Sequence, residues 1–100
     1  MILTAGYNVY PAEIERVVAG HQDVALVAVG SIPDAEKGEL AKAYIVPKVG
    51  VTPSAQAIVD YCREHLAAYK VPRAVQFVDD LPKTSTGKVM RRELRTLDEH

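Results

Sequence analysis

A short loop near the end of the sequence combines small hydroxyl residues, a glycine and a lysine. It runs from Pro82 to Lys88 and reads PKTSTGK. Small hydroxyl residues followed by a glycine form a sterically open loop, because neither type crowds the backbone. Lys88 places a compact cation with three hydrogen-bond donors at the tip of this loop. Such a group is suited to the oxygens of a phosphate or a carboxylate.

The loop does not satisfy the P-loop pattern of nucleotide-binding proteins. That pattern requires a glycine five positions before its Gly-Lys pair, and Leu81 and Pro82 occupy that region. It also requires a serine or threonine after the lysine to bind Mg²⁺, and the residue there is Val89. Taken alone, the segment is better explained as a solvated connector with an incidental lysine.

A second candidate segment lies near the beginning of the chain, where residues 4–15 read TAGYNVYPAEIE. The small residues Ala5 and Gly6 would permit a ligand or another chain to approach the backbone closely. Taken alone, this segment is better explained as a tight turn that opens a helix.

The other reactive residue types form no convincing site. Cys62 lies on an apolar stripe and is expected in the core, and the histidines lack the spacing of metal ligands, so we expect no metal site. These histidines are His21, His65 and His100.

The size of the chain limits what these loops can do. One hundred residues form one domain, and a content of 48% hydrophobic and 25% charged residues is typical of globular proteins. A domain of this size has little room for a ligand pocket of the usual ~300–1,000 Å³. We therefore expect its site to be a surface that completes the pocket of another domain.

The charge balance argues against several classes of partner. The chain has 12 basic and 13 acidic residues and a net charge of −1, which does not attract nucleic acid or an anionic membrane. No apolar run is long enough to be a transmembrane segment, and residues 1–7 lack the basic leader of a signal peptide. The single cysteine favours a reduced, cytoplasmic location.

The elements that must position the two loops alternate between short strands and helices. A β-like segment over residues 1–10 leads to a helix that Pro11 opens and Gly20 ends as a C-cap. The buried stripe of this helix is expected to contain Ile14, Val17 and Val18. A strand covered on both faces follows at Val24–Val29. A polar connection over residues 31–39 then joins it to an antiparallel strand at Leu40–Val46.

The second half of the chain predicts two more helices and a third core strand. Thr52 and Pro53 supply the N-cap and first position of a helix that Pro72 stops. Its apolar stripe contains Ile58, Cys62, Leu66 and Tyr69. A strand at Ala74–Val78, a loop and a final helix at Val89–Leu97 complete the order. The predicted fold class is α+β, a small sandwich of a roughly three-stranded core sheet with packed helices, preceded by a short β-like N-terminal segment.

Together, the two loop segments resemble the paired C-terminal motifs of the adenylate-forming superfamily of acyl-CoA synthetases, peptide synthetase adenylation domains and luciferases. The first segment matches a turn made of a small residue and a glycine, followed by Asn-x-x-Pro-x-Glu-Ile-Glu. The second matches Pro-Lys-Thr-x-x-Gly-Lys followed by a basic stretch, here RREL at residues 91–94. Pro33-Asp34 with Gly38-Glu39, and the segment Tyr69–Arg73, also fall where this family has similar segments. The resemblance covers nearly the whole chain.

The resemblance implies that residues 1–100 are the mobile C-terminal domain of an adenylate-forming enzyme. The large N-terminal domain would be absent, and the hinge would lie just before Met1. The expected function is that of a fatty acyl-CoA ligase, which adenylates a carboxylate with ATP and transfers the acyl group to CoA. The sequence NVYP at residues 8–11 resembles fatty acyl-CoA ligases more than peptide synthetase domains. The alternatives are a non-catalytic protein-interaction module and an adenylation domain for aryl or amino acids.

The resemblance also implies roles for five residues. Lys88 would be the catalytic residue of the adenylation step, with Gly87 and Thr86 in the loop that meets ATP and the acyl-adenylate. Ala5 and Gly6 would line the tunnel for the pantetheine arm of CoA, although Ala5 stands where many relatives have a second glycine. The full-length enzyme would use ATP, Mg²⁺ and CoA, and this domain alone would bind none of them and would be inactive. Its partners would be the N-terminal domain and a small-molecule carboxylate.

Other charged residues of the matched segments keep alternative explanations. Glu13 is better explained by its place in the positive first turn of a helix than by a role in the reaction. Lys70 and Arg73 are candidates for contact with the phosphates of CoA. A basic cluster after Lys88 could also meet phosphates, but it better suits a solvated helix face or an interface with the missing domain. This cluster contains Arg91, Arg92 and Arg95.

Overall fold

The computed structural model of the chain describes residues 1–99, with the backbone alone described for Glu99. The described part contains five strands, two α-helices and two 3₁₀ helices. In chain order they are β1 (Ile2–Thr4), β2 (Tyr7–Val9), α1 (Pro11–Ala19), β3 (Val24–Asp34), β4 (Gly38–Pro47), α2 (Ala55–His65), a 3₁₀ turn (Ala68–Lys70), β5 (Ala74–Phe77) and a C-terminal 3₁₀ helix (Arg91–Glu99). The helices in this part of the chain are too short to cross a lipid bilayer.

The central strand of the sheet is β4. It pairs antiparallel with β3 along its whole length, from Val24 opposite Pro47 to Asp34 opposite Gly38. Its other side pairs in parallel with β5 and, at Gly38, antiparallel with β1. The β1–β2 hairpin therefore extends a three-stranded core into a five-stranded sheet. The predicted α+β class and its three core strands are confirmed.

One face of the sheet is covered by α1 and α2. Side chains alternate between the two faces along a strand, and on β4 the residues Ala43 and Ile45 point to the helices, where they are fully buried. From α1, Ile14 and Val18 enter the same core, as predicted, whereas Val17 is only half-buried. This core therefore depends on an apolar stripe from each helix.

The C-terminal part of the chain covers the opposite face of the sheet. A second core there contains Ala28 from β3, Tyr44 from β4, Leu81, and Leu94 from the C-terminal 3₁₀ helix. The predicted final helix at Val89–Leu97 exists as this 3₁₀ helix and begins two residues later. The sheet is thus covered on both faces, and the loop of Lys88 lies in the segment that covers the second one.

Strand β3 is longer than predicted. It continues to Asp34, so the polar connection expected over residues 31–39 was wrong, and only residues 35–37 separate β3 from β4. Pro33 is tolerated because β3 is an edge strand, which in the described part of the chain has no ladder partner on its outer side. The prediction that the strand is covered on both faces is correct at Ala28 and Val29, which enter different cores. It is wrong at Leu26, which is 41% exposed.

Helix α2 begins later and ends earlier than predicted. Ser54, not Thr52, is the N-cap, because its side-chain oxygen accepts a hydrogen bond of 3.0 Å from the amide of Ala57. The helix ends at His65, where the backbone of the next residue becomes extended, and not at Pro72. Two members of the predicted stripe, Ile58 and Cys62, are buried, Leu66 is half-buried and Tyr69 is exposed.

Gly20 caps α1 for a reason other than the one expected. Its φ of −76° is right-handed, so it does not adopt the left-handed conformation of the usual glycine cap. A Cβ at this position would lie 2.9 Å from the hydroxyl oxygen of Tyr61 on α2. A side chain at this position would therefore require the Tyr61 hydroxyl to shift.

Candidate functional site

The loop that carries Lys88 is a tight hairpin turn. The amide of Thr84 donates to the carbonyl oxygen of Lys88 over 2.8 Å, and the amide of Gly87 donates to the carbonyl of Thr84 over 2.9 Å. The amide of Lys88 also donates to the side-chain oxygen of Thr84 at 3.1 Å. A β-bridge between Lys83 and Val89 closes the base. The turn is therefore organised by its own backbone.

Gly87 is required by the conformation of this turn. Its φ is +85°, in the left-handed region that side chains disfavour. A glycine in this conformation at the end of a three-residue hairpin loop is a recurrent arrangement. A Cβ at Gly87 would meet no atom within 4 Å. Within the described chain, backbone shape rather than lack of space selects the glycine. Thr86 shares a contact of 2.9 Å between its hydroxyl and that of Thr84.

The side chain of Lys88 is exposed at the end of the turn. Among the side chains described for residues 1–98 it has no carboxylate partner, whereas the neighbouring Lys83 pairs with Asp80 at 3.2 Å. The Lys88 ammonium thus retains its donors for an anion from outside the described chain. This arrangement can place one positive charge against a phosphate or carboxylate oxygen.

The segment that leaves the hairpin is held in place by contacts of three consecutive residues. Val89 packs against the second core, and the amide of Met90 donates to the carbonyl of Pro82 over 2.9 Å. The guanidinium of Arg91 makes two hydrogen bonds to the carboxylate of Glu15 on α1, including one of 3.2 Å from Nε. These hydrogen bonds raise the pKa of Arg91.

Sequence reasoning missed the pairing of Glu15 with Arg91. Glu15 is the last residue of the Glu-Ile-Glu sequence in the first motif, and Arg91 is the first arginine after the second motif. Each residue can be recognised in the sequence, but the contact between them cannot, because the two are 76 positions apart and meet only when the chain folds. The prediction that Arg91 belongs to a solvated face was therefore incomplete, because half of its side chain is held against α1.

Ala5 and Gly6 form the two-residue turn of the β1–β2 hairpin. Their φ angles are +50° and +83°, so both occupy left-handed positions, as in a type I′ turn. Thr4 and Tyr7 pair on either side of the turn. The amide of Ala5 donates to the carbonyl of Lys37 over 2.9 Å, which fixes the turn beside the β3–β4 connection.

The surroundings of this hairpin combine aromatic and charged side chains. The rings of Tyr7 and Tyr69 stack with centroids 4.5 Å apart. Lys70 pairs with Glu13 at 3.0 Å, and this hydrogen-bonded contact raises the pKa of the lysine. Glu13 lies in the first turn of α1, as expected, but its carboxylate is also engaged by Lys70. Arg73 is exposed.

The two candidate loops adjoin different faces of the sheet. The segment after Lys88 packs on the second core through Val89. The hairpin that carries Ala5 and Gly6 contributes Ile2 and Val9 to the core beneath the helices. The domain therefore presents two separate surfaces.

The other candidate residues lie away from both loops. Cys62 is fully buried in the core, as expected, and burial raises the pKa of its thiol to about 11. His65 stacks on the Tyr61 ring, and His21 makes an edge contact with the same ring. His100 lies outside the described residues. In the part of the chain that was described, no three side chains of metal-binding type come together.

The structure thus combines a small α+β domain, a lysine on a preformed hairpin and a second glycine turn. The chain belongs to the family of the AMP-binding enzyme C-terminal domain, whose pattern matches residues 13–88 and ends at Lys88. The resemblance inferred from the two motif segments is thereby confirmed.

The chain is similar over nearly its whole length to a part of much longer proteins. It is 48% identical over 95 residues to a 3-[(3aS,4S,7aS)-7a-methyl-1,5-dioxo-octahydro-1H-inden-4-yl]propanoyl:CoA ligase of Rhodococcus jostii, covering 95% of the chain and 18% of that protein. It is 46% identical to a long-chain-fatty-acid–CoA ligase of Salmonella typhimurium, covering 95% and 17%. The structure of a Mycobacterium tuberculosis fatty acyl CoA synthetase superposes with a TM-score of 0.90 at 44% identity, covering 97% and 19%. The chain thus spans less than a fifth of each relative.

Proposed function

We propose that this chain is the C-terminal domain of an acyl-CoA ligase and acts together with a larger N-terminal domain. Its family is named for AMP-binding enzymes, and the relatives described above are named as CoA ligases. In this proposal the N-terminal domain holds the acyl group, ATP and Mg²⁺, and the present chain completes the site from two directions.

The observation that carries this proposal is the exposed Lys88 ammonium on a preorganised turn. In the adenylation step a carboxylate oxygen attacks the α-phosphorus of ATP, and pyrophosphate leaves. Two anions must approach each other, and negative charge on the oxygens around phosphorus must be stabilised in the transition state. A fixed cation supplies that stabilisation without reorganising during the reaction. Lys88 is suited to this role because its turn is already formed.

Ala5 and Gly6 are proposed to serve the second step, in which the CoA thiol attacks the acyl-adenylate and AMP leaves. A narrow passage for the pantetheine arm requires a backbone without bulky side chains. Apart from its chain neighbours, no described residue lies within 4 Å of the position that a Cβ on Gly6 would occupy. The turn thus leaves an open surface against which a thin chain can lie. Lys70, whose neighbour Tyr69 stacks on Tyr7 of this hairpin, and the exposed Arg73 are proposed to meet the phosphates of CoA.

We propose an apolar carboxylic acid as the acyl substrate. One relative is named for a long-chain fatty acid and another for a propanoate on a fused ring system, at nearly equal identity. Both acids join a carboxylate to a large and mainly apolar carbon skeleton, which in the fused-ring acid also carries two ketone oxygens. Fatty acids remain our first expectation, and the fused-ring acid is the alternative that the second relative favours.

The test is to express the complete open reading frame that encodes this chain and to measure carboxylate-dependent exchange between ATP and pyrophosphate. The panel should contain fatty acids of several lengths, a fused-ring propanoate, an aryl acid and amino acids. We expect exchange with an apolar acid, and a loss of about 10²–10³-fold in the Lys88→Ala variant. Lys48→Ala, which removes an exposed lysine elsewhere, should retain full activity. Unchanged exchange in Lys88→Ala would refute the catalytic role and favour a non-catalytic interaction module.

A further inference from the structure

The ion pair between Glu15 and Arg91 lies at the end of the hairpin that carries Lys88. Arg91 follows Lys88 by three residues. Its Nε donates to one carboxylate oxygen of Glu15 over 3.2 Å, and its Nη2 donates to the other. Two parallel hydrogen bonds fix the direction of a guanidinium as well as its distance. The contact thus constrains where the chain goes after the hairpin.

Glu15 is itself held in place from two sides. Its backbone belongs to α1, and its Oε2 accepts a hydrogen bond of 2.8 Å from the amide of Val29. That amide lies on the outer side of edge strand β3, where the described residues provide no neighbouring strand to accept its hydrogen bond. The side chain of Glu15 is only 19% exposed. Its carboxylate is therefore an acceptor fixed to the helix and to the sheet.

Little freedom remains between this anchor and Lys88. Val89 packs on the second core, and Met90 is hydrogen-bonded across the base of the hairpin to Pro82. A displacement of Arg91 is therefore transmitted to the base of the turn rather than absorbed by a flexible linker. The tip itself is organised locally, so the anchor sets its position on the domain and not its internal shape.

We propose that the Glu15–Arg91 pair positions Lys88 for the adenylation step by fixing the hairpin to α1 and to the edge of the sheet. The proposal rests on the proposed function of Lys88. Glu15 and Arg91 are positioning residues, since neither has to touch the substrate. The pair also explains why the two motif segments occur together in one domain, because the first supplies the acceptor that holds the second.

The pair is better suited to fixing geometry than to stabilising the fold. The Arg91 side chain is 51% exposed, and ion pairs at such sites contribute little to folding. A misplacement of about 1 Å at a reacting group, however, can lower a rate by about 10²-fold. Loss of the pair is therefore expected to affect the reaction far more than the folded state.

The experiment uses the protein expressed from its complete open reading frame and measures the two half-reactions separately. Adenylation is followed by pyrophosphate release, and thioester formation by supplying synthetic acyl-adenylate with CoA. Arg91→Met should lower kcat for adenylation about 10-fold, with KM for ATP within about 2-fold, and should leave thioester formation unchanged. Arg91→Lys, which keeps the charge but cannot make the forked contact, should be intermediate.

Two further variants test whether the effect passes through Glu15. Glu15→Gln keeps an oxygen that can accept the amide of Val29, so the fold is retained while the charge is lost. It should reproduce the defect of Arg91→Met, and the double variant should be no worse than either single one. Arg16→Met is the matched control, because it makes the same substitution at an exposed arginine beside Glu15. It should behave as the unmodified enzyme.

The outcomes separate this inference from the proposed function. Wild-type adenylation by Arg91→Met, in an enzyme that Lys88→Ala inactivates, would overturn the positioning role alone. An equal loss of both half-reactions in Arg91→Met would also overturn it, because a general structural defect would produce that result. Full activity of Lys88→Ala would instead refute the proposed function.

Discussion

Tyr44, at the centre of the sheet, donates a hydrogen bond of 2.7 Å to the carboxylate of Asp98 near the end of the chain. Lys42, two residues earlier on β4, donates to the same oxygen over 2.6 Å. A single acceptor therefore joins the central strand to the C-terminal 3₁₀ helix. Because Leu94 of that helix forms the core on which Val89 packs, this junction supports the face of the domain that carries Lys88.

The Asp98 junction predicts a loss of stability in acid. Partial burial tends to raise the pKa of Asp98, but the hydrogen bonds from Lys42 and Tyr44 outweigh it and hold that pKa below the ordinary 3.8. A carboxyl group with a lowered pKa in the folded state stabilises the fold above its unfolded pKa, and this contribution disappears as the pH falls through the folded value. The free energy of unfolding of the chain should therefore decrease below about pH 4.

Urea unfolding at pH 7 and pH 3 measures this decrease. Asp98→Asn keeps an oxygen acceptor for Tyr44 but cannot titrate, so it should be less stable than the unmodified chain at pH 7 and should lose less on acidification. Asp60→Asn is the control, because Asp60 is exposed on α2 and its nearest cation, Arg63, is 3.7 Å away. An equal loss with pH in Asp98→Asn and in the unmodified chain would show that other carboxylates account for the effect.

The turn at Ala5 contains a strained residue that glycine should relieve. Ala5 has a φ of +50°, and an L-residue in the left-handed conformation costs about 1–2 kcal/mol. Ala5→Gly removes this strain but gains about 0.4–1 kcal/mol of unfavourable entropy from the unfolded chain. We expect a net stabilisation of about 0.5–1 kcal/mol, measured by urea unfolding.

Two variants distinguish strain from other effects at this turn. Ala5→Asn should also stabilise, because Asn-Gly is the preferred pair in a type I′ turn. Ala35→Gly is the matched control, since Ala35 is exposed in the β3–β4 connection and has no positive φ. It should destabilise by about 0.4–1 kcal/mol. Destabilisation by Ala5→Gly of the same size as the control would contradict the assignment of strain.

Gly87 offers a test of whether conformation or space selects the glycine in the Lys88 turn. Its φ is +85°, and a Cβ would meet nothing within 4 Å in the described chain. If conformation alone matters, Gly87→Ala should lower kcat for adenylation, and Gly87→Asn should lower it less, because asparagine tolerates the left-handed region. If the loop must approach the N-terminal domain closely, the larger asparagine should be worse than alanine. Kinetics of adenylation with the two variants decide between these results.

Much of the fold was predictable because its signals are local. Pro11 at the first position of a helix and an apolar stripe through Ile14 and Val18 were sufficient to place α1. The apolar runs around Val29 and Ile45 were sufficient to place two core strands. Local signals failed where two nearby residues could both act as the N-cap of a helix. Thr52 was predicted to cap α2, but Ser54 does so. Local signals also failed to predict how far β3 extends, because its pairing with β4 stabilises polar residues that have no strand preference of their own.

The candidate loops were predictable, and the network that holds them was not. Gly6 and Gly87 were recognisable as turn residues, and their positive φ angles agree with that expectation. The ion pair of Glu15 with Arg91 joins residues 76 positions apart. Neither hydrophobic periodicity nor secondary-structure propensity predicts such a contact, because the contact depends on how the edge of the sheet packs against α1.

The approach of α1 to α2 at Gly20 gives a final prediction. Alanine at a right-handed glycine ordinarily stabilises a protein by about 0.4–1 kcal/mol. Here a Cβ would lie 2.9 Å from the Tyr61 hydroxyl, and a shift of the Tyr61 ring would disturb its stacking on His65, whose centroid lies 4.4 Å away. Gly20→Ala should therefore destabilise the chain by about 1–3 kcal/mol. Tyr61→Phe removes the clashing oxygen, so the double variant should recover most of the loss. Absence of recovery in thermal unfolding would show that the carbonyl of Val17, at 3.2 Å, is the limiting contact.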